Sequence, residues 1–118
     1  MRRKHHDLQA WQLAMELVTS VYRLTASFPR EETYGLSAQM RRSAVSVPSN
    51  LAEGAARESN REKLQFFSIA RGSLSELETQ LFIARNLGYI REDDETFAQL
   101  GDVFGLTGGL IRSLKRRT

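Results

Sequence analysis

The sequence contains no cysteine. Disulfide frameworks and thiolate metal sites are therefore excluded. Proline occurs only twice, at Pro29 and Pro48, and histidine only at His5 and His6. Adjacent histidines on a helix point about 100° apart, so this pair reads as solvated rather than as a metal ligand set. No Glu-x-x-His occurs, which removes a ferritin-like di-iron core. No Gly-x-Gly-x-x-Gly or phosphate-loop lysine motif is present, and Gly108-Gly109 lies inside a helical pattern. Both histidines sit in the basic leader, far along the chain from the serines that a Ser-His-Asp set would need. Glu76 and Glu78 are two residues apart and face different ways on a helix. No residue set resembles a reaction centre, so the expectation is a protein that is not an enzyme and holds no cofactor and no metal. No apolar run approaches the roughly 18 residues of a membrane span, and the basic start is not followed by the apolar core of a secretory signal. These absences lead to the expectation of a cytoplasmic protein without membrane contact.

What is present is helical periodicity. The chain has 118 residues, 41% of them hydrophobic and 26% charged, ordinary values for one soluble domain. After Asp7, a candidate N-cap, Leu8, Trp11, Met15, Val18 and Tyr22 form one apolar row. Ala14, Leu17, Val21, Leu24 and Phe28 form a second. Two adjacent rows make a wide arc, which suits a helix covered on two sides, and Trp11 and Tyr22 read as core. A second helix carries Leu36, Met40, Ala44, Val47, Leu51 and Ala55 in phase through Pro48. Proline inside a helix removes one backbone bond and costs about 3 kcal/mol, so one kinked helix is expected, with Ser43, Ser46 and Ser49 available to relieve freed backbone groups. A third opens on the capping-box pattern Ser59…Glu62, runs Leu64, Phe67, Ala70, Leu74, Leu77, Leu81, Ala84, and stops at Gly88. Glu92-Asp93-Asp94-Glu95 starts a fourth, with Phe97, Leu100, Phe104, Ile111 and Leu114 as its core row and Thr107 in register. The expected helices span about 8–28, 34–57, 60–87 and 94–116. No strand signal competes. Short connections make neighbours antiparallel, so the fold class is all-α: a single-domain, antiparallel up-down-up-down four-helix bundle with helix 2 kinked at Pro48.

Charge sharpens this expectation. The net charge is +3, but Arg2, Arg3 and Lys4 open the chain and Arg112, Lys115, Arg116 and Arg117 close it. Residues 7–111 hold the other 10 basic groups against 14 acidic ones, a net of −4. In the expected topology both clusters reach one end of the bundle, where seven cations would attract phosphates. These seven are the candidate residues for binding RNA or DNA. The alternative is a scaffold that docks another protein, with the basic ends merely solvating it.

Polar residues share faces beside the apolar seams. Ser43, Ser46, Asn50, Glu53 and Arg57 align on helix 2; Ser73, Glu76 and Gln80 interrupt the row Phe66, Ile69, Ile83, Leu87 on helix 3. Such mixed rows suit a subunit contact or a buried hydrogen-bonded network. Antiparallel register predicts ion pairs Arg42–Glu76 and Glu53–Lys63. Gly54 on helix 2, and Gly101, Gly105 and Gly108 on helix 4, suggest close helix approach. The apolar arcs exceed what a lone bundle can bury, which predicts a homo-oligomer.

The stretch from Asp7 to Ile90 resembles the four-helix bundle protein family, also called 23S rRNA intervening-sequence proteins. The marks are Asp7-Leu-Gln-Ala-Trp11, Phe28-Pro29, Gln39-Met-Arg-Arg42 leading to Ser46-Val-Pro-Ser-Asn-Leu-Ala-Glu-Gly54, Ala70-Arg-Gly-Ser-Leu-Ser-Glu-Leu-Glu78 and Gly88-Tyr-Ile90. Arg42, Ser46, Asn50, Glu53, Ser73 and Glu76 form the polar stripe of that motif. The resemblance implies a bacterial four-helix bundle assembling as a homopentamer. A similar protein is the accessory variability protein of diversity-generating retroelements, which binds a reverse transcriptase and nucleic acid, so the resemblance allows either kind of partner. The Lys-Arg-Arg tail is not a family mark.

Overall fold

A computed structural model describes residues 2–117. Four helices account for most of it: α1 Gln9–Thr25, α2 Leu36–Ala55, α3 Asn60–Asn86 and α4 Glu95–Arg117, with 3-10 turns at Lys4–Asp7 and Arg30–Glu32. Among the described residues there is no strand. Each helix packs on its two ring neighbours, and the diagonal pairs do not meet. The body measures 45 × 28 × 20 Å. Contacting residue numbers rise on one helix as they fall on the next: Ser43 meets Glu76, Ser46 meets Ser73, and Gly54 meets Phe67.

The core follows the apolar rows. Leu17 and Val21 of α1, Met40, Val47 and Leu51 of α2, Leu74, Leu77 and Leu81 of α3, and Leu100, Val103 and Ile111 of α4 are buried at its centre. Burying each such side chain is worth about 1.5–3 kcal/mol, and these rows hold the ring of helices together. On α1 only one of the two rows is buried. The Ala14–Leu17–Val21 row faces inward, while Met15 is 45% and Tyr22 42% exposed. Tyr22 is therefore not core; the Arg41 guanidinium lies 4.6 Å over its ring.

Helix ends depart from the sequence pattern where local chemistry intervenes. Asp7 does not cap α1. It belongs to the preceding 3-10 turn, and Arg2 holds its carboxylate at 2.6 Å. Leu8 takes the cap position instead. The first helix stops at Thr25 rather than near Phe28, because Pro29 forces the residue before it out of the helical region. Phe28 still buries its ring, 5.2 Å from Tyr89. The Tyr89 hydroxyl donates to Glu32 Oε2 at 3.0 Å, and Glu32 Oε1 accepts the Leu36 amide at the start of α2. That carboxylate pushes the Tyr89 hydroxyl pKa up from its usual value, through the hydrogen bond first. These contacts join the α1–α2 and α3–α4 connections at one pole.

Ser59 Oγ accepts the Glu62 amide at 3.1 Å, as the sequence pattern predicts for α3. Gly88 ends that helix with φ of 78°; its amide donates to the Arg85 carbonyl and the Tyr89 amide to the Ala84 carbonyl. This is the left-handed glycine stop in its two-bond form. α2 runs unbroken through Pro48. Ser49 donates to the Val45 carbonyl and Asn50 to the Ser46 carbonyl, both at 2.8 Å. Ser43 and Ser46 instead turn across to α3.

Candidate nucleic-acid interface

At the pole opposite the Phe28–Tyr89 contact, the first and last described segments come together. Lys4, from the opening 3-10 turn, and Arg117, at the end of α4, line one depression with Lys63 from the first turns of α3. The antiparallel passage of the chain dictates this: α1 begins, α2 ends, α3 begins and α4 ends on the same side. Among the described residues, Lys4, Lys63 and Arg117 have no ion-pair partner. Three carboxylates on the converging elements are held by neighbours: Asp7 by Arg2, Glu53 by Arg57 and Glu62 by Ser59. Glu58 stands exposed on the connection between α2 and α3.

The seven cations read from the sequence are not equivalent. Lys4 and Arg117 border the depression. Arg2 is engaged with Asp7. Arg3 donates its backbone amide to His6 Nδ1 at 3.0 Å. Arg112 lies one turn up α4, its guanidinium against Gly108. Lys115 and Arg116 are exposed on the last turn. Lys63, expected to pair with Glu53, belongs to the pole instead, because Glu53 pairs with Arg57 one turn along its own helix. A basic residue in the first turn of α3 was the sequence signal for this eighth cation: that turn shares the pole with both chain ends.

The histidines are only partly solvated. Both are half-buried, with His5 5.0 Å and His6 5.4 Å from the Trp11 ring. Burial first, then the neighbouring His6 and Arg3 charges, lower the pKa of His5 below its usual value. Among the described residues no group of three His, Cys, Asp or Glu side chains is arranged to hold a metal ion.

A second polar site lies between α2 and α3. Ser43 Oγ donates to Glu76 Oε1 at 2.8 Å, and the Ser46 and Ser73 hydroxyls meet at 2.8 Å. Asn50 Nδ2 reaches Ser46 Oγ at 3.0 Å. Arg42 and Gln80 border the same cleft, of about 220 Å³. The expected Arg42–Glu76 ion pair does not form: Ser43 sits one position inward and takes the carboxylate, leaving Arg42 exposed. Of the six stripe residues, Ser46, Asn50 and Ser73 are therefore joined, Glu76 is held by Ser43 beside them, Arg42 borders the cleft, and Glu53 pairs with Arg57 instead.

Apolar side chains also remain uncovered. Trp11, Met15 and Val18 of α1 and Val45, Pro48 and Ala52 of α2 line an open groove. On α3 and its C-terminal cap, Ile69, Ile83 and Leu87 are 43–54% exposed. Among the described residues no helix is long and apolar enough to cross a membrane.

Four helices in a ring, with a hydrogen-bonded seam between the second and third and a cationic pole, define a small all-helical bundle protein. The family model for the 23S rRNA-intervening sequence protein matches residues 6–103, and the chain belongs to that family. Among curated proteins no relative matches it. The matched span contains Lys63 and the whole polar stripe, whereas Arg2, Arg3, Lys4, Arg112, Lys115, Arg116 and Arg117 all lie outside it.

Proposed function

We propose that this protein is a non-enzymatic, cytoplasmic, oligomeric bundle that binds RNA or DNA, ribosomal RNA in particular, through the pole where its two ends meet. The observation that supports this most is the shared depression of Lys4, Lys63 and Arg117, cations from three separate elements without ion-pair partners among the described residues. Membership of a family tied to 23S rRNA supports the same reading. Attraction to phosphates releases counterions, so binding is weak in sequence preference and falls steeply with salt. The test is filter binding of a structured RNA at low and moderate salt, with Arg2, Arg3, Lys4, Arg112, Lys115, Arg116 and Arg117 changed to Gln. Affinity should fall sharply; affinity that survives would remove the reading.

Assembly follows from the uncovered apolar faces. The α1–α2 groove and the outer row of α3 are different surfaces. A contact joining one to the other is head-to-tail, and such contacts close into rings when the rotation permits; a pentamer is the form the family resemblance implies. Each added copy multiplies the cationic field. Light scattering should show a multimer, and a monomer at micromolar concentration would overturn this part. The exposed groove also favours a second reading, in which it docks a different protein. A complex with one protein partner and no RNA affinity would select that reading.

A further inference from the structure

The depression at the basic pole is not merely a set of charges. Its volume is about 210 Å³, and its floor is apolar, built by Leu8, Phe67, Leu110 and Leu114. Phe67 is buried beneath α2, and Leu114 belongs to the core. Around this floor stand Lys4, Lys63 and Arg117, with the Ser113 hydroxyl as a polar group in the wall. A surface that only attracts phosphate backbones has no use for a hollow of hydrocarbon between its cations. Duplex nucleic acid presents phosphates outside and keeps its bases stacked within. A single strand offers both groups at once: an unstacked base with a flat apolar face, and phosphates on either side of it.

The geometry points to a single-stranded nucleic acid as the ligand of this pole, with one base seated on the Leu8–Phe67–Leu110–Leu114 floor and its flanking phosphates held by Lys4, Lys63 and Arg117. Three cations from three elements around one hollow exceed what a single anionic group needs. The inference rests on the proposal that the pole binds nucleic acid, and it specifies which kind. The Ser113 hydroxyl, which both donates and accepts hydrogen bonds, suits any base edge, so sequence preference should be slight. Taking one face of a base out of water against apolar side chains strengthens binding about tenfold, through the apolar area it covers.

The experiment is fluorescence anisotropy at low and at moderate salt. The probes are a 12-nucleotide oligouridylate, the same oligonucleotide with abasic residues throughout, a 12-base-pair RNA duplex and uridine monophosphate. The intact strand should bind at least tenfold more tightly than the abasic strand or the duplex, and the mononucleotide weakly. Ser113→Leu, which narrows the hollow and keeps every cation, should erase the advantage of the intact strand. This comparison also needs no variant, since the wild-type protein alone distinguishes the intact from the abasic strand. Equal, salt-dependent binding of the two strands would overturn the base site while leaving the phosphate-binding pole intact. No binding of any probe at low salt would overturn both. Tighter binding of the duplex than of the intact strand would also overturn it.

Discussion

Single atoms decide several features of this bundle. Gly54 is one: a Cβ built there would lie 2.7 Å from the Phe67 ring and 3.1 Å from Phe66 Cβ. Phe67 is only 4% exposed and has no room to swing aside. Gly54→Ala should therefore destabilise the fold by about 1–3 kcal/mol, measured as a lower urea midpoint. Thr107 presents the opposite case. It is fully buried, and its Oγ1 has no hydrogen-bond partner among the described residues. Val has the same shape without the stranded hydroxyl, so Thr107→Val should raise stability by about 1 kcal/mol, visible as a higher midpoint in the same titration. His5 titrates with a sign that follows from its packing against Trp11. Its folded pKa lies below the unfolded value of 6.5, so the unfolded chain binds the proton more readily. Stability should then fall as pH drops from 6.5 through the folded value. Proton NMR should place the His5 midpoint below 6.5, and a midpoint above it would contradict the packing seen here.

At the scale of the helix, the rows of α2 and α3 were legible because their spacing is strict. Met40, Ala44, Val47 and Leu51 are all buried, as are Phe67 through Ala84 on their row. The Gly88 stop was equally legible, because only a residue without a Cβ takes a positive φ at little cost. The two rows of α1 were visible as well, but periodicity cannot say which one a neighbour covers; that depends on how α2 and α4 lean against it. Polar partners were less legible for a related reason. Register placed Arg42 level with Glu76, yet one position of rotation gave that carboxylate to Ser43. The glycines of α4 divide in the same way. Gly101 and Gly105 are exposed, with no atom within 4 Å of a Cβ built on either. No close approach within the chain explains them, in contrast to Gly54. Replacing both with Ala should stabilise α4 by about 0.4–1 kcal/mol each and raise the thermal midpoint by several degrees. If that face packs against a second copy, the same change should reduce the assembled fraction in light scattering.

For the whole molecule, topology matters more than composition. A net charge of +3 is modest, but the path of the chain gathers Lys4, Lys63 and Arg117 at one pole. Lys63→Gln should lower the salt dependence of strand binding by about 0.7 in the log–log slope, the share of one phosphate contact; an unchanged slope would place Lys63 outside the contact surface. The span matched to the family includes the seam that joins α2 to α3 through the Ser43–Glu76 and Ser46–Ser73 bonds. The terminal cations lie outside the matched span and can change without disturbing that seam.

The placement of both ends has a practical consequence for anyone labelling this protein. A fluorophore or affinity handle joined next to Lys4 or Arg117 stands beside the cationic hollow. The turn from Arg91 to Asp94, beyond Tyr89 at the far pole, is exposed along most of its length. A reporter inserted there leaves the basic pole clear.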